Sequence, residues 1–178
     1  MIGPRTRVGM VVPLVFIVSM TGCYTFTGAS VPSNLKTIAI PLVDDQSGFG
    51  EPGLREQFTT ALTNLFISDN TMEVADRTTA DAILVGVITS VSDAPAVVQQ
   101  GVQGAAQPGE QVSKRRITVT VKATMQNVKL RKKMWEKSFS NWGDYDAGGG
   151  GASQRQTGLA EAIRKVTEDV LLETVSGW

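Results

Sequence analysis

The sequence has 178 residues, in which 17 Lys and Arg balance 17 Asp and Glu, with one Cys and no His. This composition excludes His-based catalytic triads, the common zinc sites and internal disulfides, so packing alone must hold the fold. The balanced charge does not favour a nucleic-acid partner, and the length allows one domain with a substantial core.

The first 22 residues have the pattern of a secretory signal peptide. Two arginines precede an apolar run over residues 8–18, which is shorter than the roughly 20 apolar residues that span a membrane. Two small residues then come directly before Cys23. This order predicts cleavage after residues 1–22 and acylation of Cys23, which would anchor a soluble domain to a membrane surface. An ordinary secreted protein with one free thiol is the alternative.

The residue after the cysteine bears on location. Tyr24 stands there in place of Asp, and in many Gram-negative bacteria the lack of Asp permits sorting to the outer membrane. We therefore expect a lipid-anchored protein on the periplasmic face of the outer membrane. Residues 23–35 are rich in Gly, Ser, Pro and Asn and are predicted to be a lipidated tether. A single domain over residues 36–178 should follow.

The domain begins with a predicted strand over residues 37–43, which Pro41 ends or places at a sheet edge. A turn-rich loop follows, with the formal dinucleotide pattern Gly48-Phe49-Gly50-Glu51-Pro52-Gly53. These glycines do not follow the strand directly, and the acidic residue among them would repel phosphate, so nucleotide binding is not expected. The proline is expected at the first position of a helix.

That helix is predicted over residues 54–68, where apolar side chains recur on one helical face. A short strand is predicted within residues 71–76. The almost continuous apolar run 82–91 predicts a strand near the centre of a sheet, where Gly86 would let a neighbour approach closely. Residues 93–113 are rich in Gly, Pro and Gln without periodicity, which predicts a disordered loop.

Strict alternation over residues 117–126 predicts a strand with one apolar and one polar face, and residues 135–145 are predicted to be its hairpin partner. After a Gly-rich linker at 148–151, Ser153 and Gln156 predict the capping box of a last helix, which Gly177 would end.

The predicted fold class is therefore α+β, with a mixed sheet of four to five strands and two amphipathic helices packed on one face. The opposite face of this sheet should be left partly bare. Because Trp135 and Trp142 must each find a place, a partner surface on that face is expected.

Several segments together resemble the lipopolysaccharide-assembly lipoproteins, the LptE family, along essentially the whole chain after the signal peptide. The similar segments are Cys23-Tyr24-x-Phe26-x-Gly28-Ala29-Ser30, Lys36-Thr37-Ile38-Ala39-Ile40-Pro41, Phe58-Thr59-x-Ala61-Leu62, Gly86-x-Ile88, Arg116-Ile117-Thr118-Val119-x-Val121-Lys122, and Glu136-x-Ser138-Phe139-Ser140 before Tyr145. The acidic pair after the first strand and the long Gln-rich loop depart from the family pattern. The resemblance implies a non-enzymatic subunit without a cofactor that plugs an outer-membrane β-barrel translocon and contacts lipopolysaccharide in transit.

Two groups of cations are the candidate lipopolysaccharide contacts, because clustered Lys and Arg beside aromatic residues can meet both phosphates and acyl chains. They are Lys114, Arg115 and Arg116 at the strand entrance, and Lys129, Arg131, Lys132 and Lys133 at the expected hairpin tip. Ordinary solvated charges that discourage edge pairing are the alternative.

Two other functions remain open. The stretch 37–47 also resembles the first strand of periplasmic lipoproteins that activate cell-wall synthases or form oligomeric secretion pores. An enzyme is the third class, since the pairs Asp44 with Asp45 and Asp144 with Asp146 could form the carboxylate pair of a glycosidase. We expect both pairs in turns, where Asp is common for backbone reasons, so we do not expect an enzyme.

Overall fold

A computed structural model describes residues 31–32, 34–96, 114–148 and 151–176. The predicted signal peptide, Cys23 with the chain up to residue 30, residues 97–113 of the predicted loop and Gly177 lie outside the described residues. Their assignments stay predictions.

The described residues form one mixed sheet of six strands and two helices. The helices are α1 (Leu54–Asp69) and α2 (Gly151–Ser176). The strands are β1 (Thr37–Ala39), β2 (Asp44–Asp45), β3 (Glu73–Val74), β4 (Ala82–Pro95), β5 (Lys114–Asn127) and β6 (Lys132–Asp146). The sheet order is β3-β1-β4-β5-β6, with β2 paired to β4 further along. β1 and β2 run parallel to β4, whereas β4, β5 and β6 are antiparallel neighbours. The α+β class and the mixed sheet are confirmed.

Both helices cover one face of the sheet, because the period of each sequence segment places its apolar residues on one side. The apolar residues of β5 alternate with polar ones and are all buried, and α1 and α2 bury their apolar stripes in the same core. The buried residues on these three elements are Ile117, Val119, Val121, Ala123 and Met125 on β5, Leu54, Phe58, Leu62 and Phe66 on α1, and Leu159, Ala162, Ile163, Val166 and Val170 on α2. The predicted packing of two amphipathic helices on one face is thus observed.

Two close contacts depend on glycine. A Cβ atom on Gly86 in β4 would lie 3.0 Å from a methyl group of Val43, which confirms the expected close neighbour. A Cβ atom on Gly143 in β6 would lie 2.0 Å from the carbonyl oxygen of Gly158 in α2. Since real Cβ atoms do not come as close as 2.0 Å to another atom, α2 can rest on β6 only because Gly143 has no side chain.

The first predicted strand is shorter than the sequence pattern indicated. Pairing stops at Ala39 and resumes at Asp44 as the separate strand β2. Pro41 lies in the break, because proline has no N–H to donate to a sheet. This division raises the strand number above the predicted four to five.

Three boundary predictions are wrong. Helix α2 begins at Gly151, so Ser153 lies inside it and accepts the Thr157 hydroxyl through its carbonyl instead of forming a capping box. Helix α1 is capped by Gly53 in a left-handed conformation, which leaves Pro52 before the helix. Strand β4 extends to Pro95 because Asp93 to Pro95 pair with the start of β5, so the predicted loop begins later than residue 93.

Candidate interaction surface

The face of the sheet opposite the helices is open and polar. On β5 it carries Thr118, Thr120, Lys122, Thr124 and Gln126, which are half-buried or exposed. Cross-strand contacts join β5 to β6 along this face: the hydroxyls of Thr120 and Ser140 are 2.9 Å apart, and Lys122 pairs with Glu136 at 3.0 Å. A ladder of polar pairs of this kind can face water or a polar partner without cost.

β4 contributes a different stripe to the open face. Ile83, Val85 and Val87 stand opposite polar residues of β5 and are half-buried. Their neighbours on the other side of β4 are buried, so β4 is apolar on both faces over residues 82–88, as expected for a central strand. The open face therefore combines an apolar stripe on β4 with polar rows on β5 and β6.

The open face ends in an aromatic residue held between two cations. Trp142 is 43% exposed, and the guanidinium carbon of Arg116 lies 4.8 Å from its ring centroid. From the helix side, the ammonium of Lys165 lies 5.8 Å from the same centroid and donates to the Trp142 carbonyl at 3.0 Å. Trp135 stands on the helix face, where its ring meets Phe139 edge-on at 6.2 Å. Only Trp142 thus fits the predicted aromatic contact on the bare face.

The first cation cluster is divided by the sheet, because neighbouring residues of a strand point to opposite faces. Arg116 lies on the open face and makes two hydrogen bonds to Asp144, at 2.6 and 2.9 Å. These bonds hold the pKa of Asp144 below its ordinary value and raise that of Arg116. Lys114 has no ion pair among the described residues, so the cluster contains one unpaired cation.

Arg115 lies on the helix face in a network that joins residues distant in sequence. Asp93 accepts from Arg115 at 2.9 Å, from Arg155 of α2 at 3.2 Å and from the Tyr145 hydroxyl at 2.8 Å. Burial raises the pKa of Asp93, but the bonds from Tyr145 and Arg115 outweigh burial and bring it below the ordinary value. Arg155 also pairs with Glu51 at 2.8 Å.

This network fastens the ends of β4, β5 and β6 to α2 and to the loop before α1. In the sequence, only the inward position of Tyr145 on the predicted last strand indicates this network. Arg115 is therefore bonded within the domain, and the lipopolysaccharide contact predicted for it stays a prediction.

The second cation cluster lies at the predicted place, the turn between β5 and β6. Lys129 pairs with Asp81 at 2.6 Å and Lys133 with Glu136 at 3.3 Å. The bond from Lys129, with the backbone N–H of Lys36, holds the pKa of Asp81 far below its ordinary value. Within the described part of the chain, Arg131 and Lys132 have no carboxylate partner. At roughly 3.3 Å per residue, the length of β5 places the two clusters about 40 Å apart, so they cannot form one site.

The carboxylate pairs considered for catalysis lie in strands and not in turns, which corrects that expectation. Asp44 and Asp45 form β2 and alternate across the sheet, and Asp144 in β6 is bonded to Arg116.

Among residues 31–32, 34–96, 114–148 and 151–176, no group of three metal-ligating side chains comes together. The helices described here include none that is long and apolar enough to cross a membrane.

Solved structures define the class of this fold. It resembles a hypothetical protein of Chlamydia trachomatis (TM-score 0.58, 7% identity, 78% of this chain and 95% of that chain). It also resembles a protein of Xanthomonas campestris (TM-score 0.56, 11% identity, 83% and 87% of the chains). A third similar structure is the PelC dodecamer of Paraburkholderia phytofirmans (TM-score 0.51, 13% identity, 84% of this chain and 95% of that chain). At these identities the likeness shows a shared α+β fold.

The sequence defines the family more narrowly. The model of the LptE family, described as lipopolysaccharide-assembly, matches residues 35–174, and the chain belongs to this family. It is therefore an envelope lipoprotein of the lipopolysaccharide-assembly type, from a family whose members are not enzymes. No curated protein matches the sequence significantly.

Proposed function

We propose that this protein is an outer-membrane lipoprotein, acylated at Cys23 and held on the periplasmic face, that plugs a β-barrel translocon and assists lipopolysaccharide assembly. The observation that carries the proposal is the family match over residues 35–174, which covers the sheet and both helices. In this role the protein is a structural partner and not a catalyst.

The open sheet face supports a position inside a barrel. The lumen of a large outer-membrane barrel is polar and water-filled, so a protein that enters it needs a polar surface. Hydroxyls and alternating charges cover the β5 and β6 part of this face, and many of them pair with one another. Such a surface can slide into a wet lumen without burying unpaired charge.

The candidate cations contribute unequally to lipopolysaccharide contact. Lys114, Arg131 and Lys132 are exposed or half-buried and make no ion pair with the residues described here. Arg116, Lys129 and Lys133 each pair with a carboxylate in the folded protein. To bind a lipopolysaccharide phosphate they would have to break that ion pair, and this offsets part of the free energy of the new contact. We therefore infer that these three unpaired cations, Lys114 at one end of β5 and Arg131 with Lys132 at the other, give most of the binding energy in two separate contacts.

Purification of the tagged protein from detergent-solubilised outer membrane tests the proposal. One large barrel protein should be recovered in equal amount and should survive salt that screens surface charges. Replacing Lys129, Arg131, Lys132 and Lys133 together by Ser should keep this complex and weaken lipopolysaccharide binding. Recovery of a cell-wall synthase in place of a barrel would reject the proposal.

A second candidate follows from the likeness to PelC, which is a dodecamer. If this chain also formed a ring of copies, the purified protein would have the mass of many chains and would lack a barrel partner. Light scattering of the same purified material separates the two cases, because the plug contains one copy of this chain for each barrel.

A further inference from the structure

One carboxylate joins the start of the folded chain to the turn between β5 and β6. One oxygen of Asp81 binds the ammonium of Lys129 at 2.6 Å. The other oxygen accepts the backbone N–H of Lys36 at 3.0 Å and that of Thr37 at 3.2 Å. The turn and the point where the chain enters the domain are therefore at the same end of the sheet.

The turn itself, residues 128–133, is called here the hairpin tip. Its exposed apolar residue is Leu130, which is 69% exposed and is the most exposed large apolar side chain among the described residues. Four cations stand around it, namely Lys129, Arg131, Lys132 and Lys133. An apolar side chain surrounded by cations is the pattern of a segment that lies in a membrane interface.

The hairpin tip is held in shape by its neighbours. The side-chain oxygen of the buried Asn127 accepts the N–H of Leu130 at 2.8 Å, and the N–H of Val128 donates to the Asp81 carbonyl at 2.9 Å. Arg131 adopts a left-handed conformation with φ 49°, which favours Gly or Asn over a cation. The fold thus presents Leu130 on a fixed turn, so little ordering entropy opposes its insertion.

The position of Cys23 indicates what the hairpin tip contacts. Val31 is eight positions after Cys23 in the sequence, so even a fully extended tether reaches only about 29 Å. An acylated Cys23 therefore keeps Val31 within about 29 Å of the lipid surface. The N–H of Leu35 donates to the Pro32 carbonyl at 2.8 Å, and this turn keeps Val31 near Lys36, at the end of the domain where the chain enters. The hairpin tip shares that end. Stable anchoring often combines acyl chains with a basic patch that binds anionic headgroups.

We propose that the hairpin tip is a second membrane contact, which docks on the anionic phospholipid surface that holds the acyl chains of Cys23. Leu130 enters the acyl region, and Arg131 and Lys132, which have no carboxylate partner among the described residues, bind lipid phosphates. The inference rests on the proposed acylation of Cys23, and it needs neither the barrel partner nor lipopolysaccharide.

Vesicle flotation tests the contact without the acyl anchor. The chain from residue 23 with Cys23→Ser keeps every buried core residue of the part that the structure describes, where the first is Leu35. It should float with phosphatidylcholine vesicles that contain phosphatidylglycerol and stay in solution with phosphatidylcholine alone. Leu130→Asn should weaken the binding about tenfold. The double change Arg131→Gln with Lys132→Gln should weaken it by a similar factor or more.

The matched control is Leu42→Asn. Leu42 is 50% exposed but lies between β1 and β2, away from the tip end of the sheet, so its loss should not change flotation. Equal binding by Leu130→Asn and the parent would overturn the proposal. Binding only to vesicles that contain lipopolysaccharide would also overturn it, while keeping the cations as lipopolysaccharide contacts. Copurification with a barrel protein is a separate experiment, and neither flotation result changes its outcome.

Discussion

Gly143 on β6 and Gly158 on α2 are in direct backbone contact. A Cβ atom at Gly143 would lie 2.0 Å from the Gly158 carbonyl oxygen, and one at Gly158 would lie 3.1 Å from the Tyr145 ring. The contact brings the first half of α2 against the end of β6, next to the network around Asp93. The helix therefore fixes the end of the sheet where β6 leads into α2.

Gly143→Ala should lower the free energy of unfolding by about 3 kcal/mol, because helix α2 must move away from the sheet. Urea unfolding measures the change. Gly50→Ala is the control: Gly50 has φ 73° but nothing within 4 Å of an added Cβ, so only about 1 kcal/mol of conformational cost is expected. Equal effects of the two substitutions would contradict the steric account.

Leu62→Asp and Val166→Asp should each unfold the domain, since the two side chains are fully buried on α1 and α2 and a buried, unpaired charge costs several kcal/mol. Thr60→Asp places the same charge on the exposed side of α1 and should change stability by about 0.5 kcal/mol or less. Thermal unfolding followed by circular dichroism compares the three variants. Cooperative melting of Leu62→Asp near the parent temperature would show that the helical register is wrong.

Asp93→Asn should destabilise the protein by about 2 kcal/mol at neutral pH, because two arginines and a tyrosine lose a charged acceptor. The pKa of Asp93 is below its ordinary value in the folded state. Its contribution is therefore complete above the unfolded pKa of about 3.9 and is lost as the pH falls through the lower folded pKa. The parent should lose stability more steeply than Asp93→Asn on acidification below about pH 4.

Urea unfolding at a series of pH values measures both slopes. Asp146→Asn is the control, because Asp146 is exposed at the end of β6 and makes no ion pair with a described residue. This variant should follow the acid curve of the parent. Parallel acid curves for Asp93→Asn and the parent would contradict the network account.

Labelled palmitate should be incorporated into the wild-type chain and not into Cys23→Ser. Cys23 is the single cysteine of the sequence, so no other thiol can accept the label. Cell fractionation should find the wild type in the outer membrane and the variant in the periplasm. Label that persists in the variant would reject the anchor at Cys23.

The sequence predicted the elements whose side chains repeat regularly. Alternation along β5 and the helical stripes of α1 and α2 identified the core correctly, since burial on one face requires a period of two in strands and about 3.6 in helices. The short strands were less certain, because two or three residues contain too little of a pattern. Thus β2 was not predicted, and β3 was placed only within a wider range.

The fold class and the family resemblance were available from the sequence because both depend on the order of elements along the chain. The ion-pair partners of the cations could not be predicted from the sequence, since each pair joins residues that are distant in sequence. Asp81 meets Lys129 and Lys36, and Asp93 meets Arg115 and Arg155. Only the packing of the strands and α2 brings these charges together.

The positions of Trp135, Trp142 and the hairpin tip also depend on contacts between residues that are distant in sequence. The sequence determined that the cations flank one hairpin, that Cys23 stands before the domain and that one sheet face is polar. The tertiary structure decided that Trp142 faces outward, that Trp135 lies on the helix face, and that the tip shares an end with the entry of the chain. Periodicity fixes which residues share a face of one element, whereas the position of one element beside another depends on strand order and on contacts between distant residues.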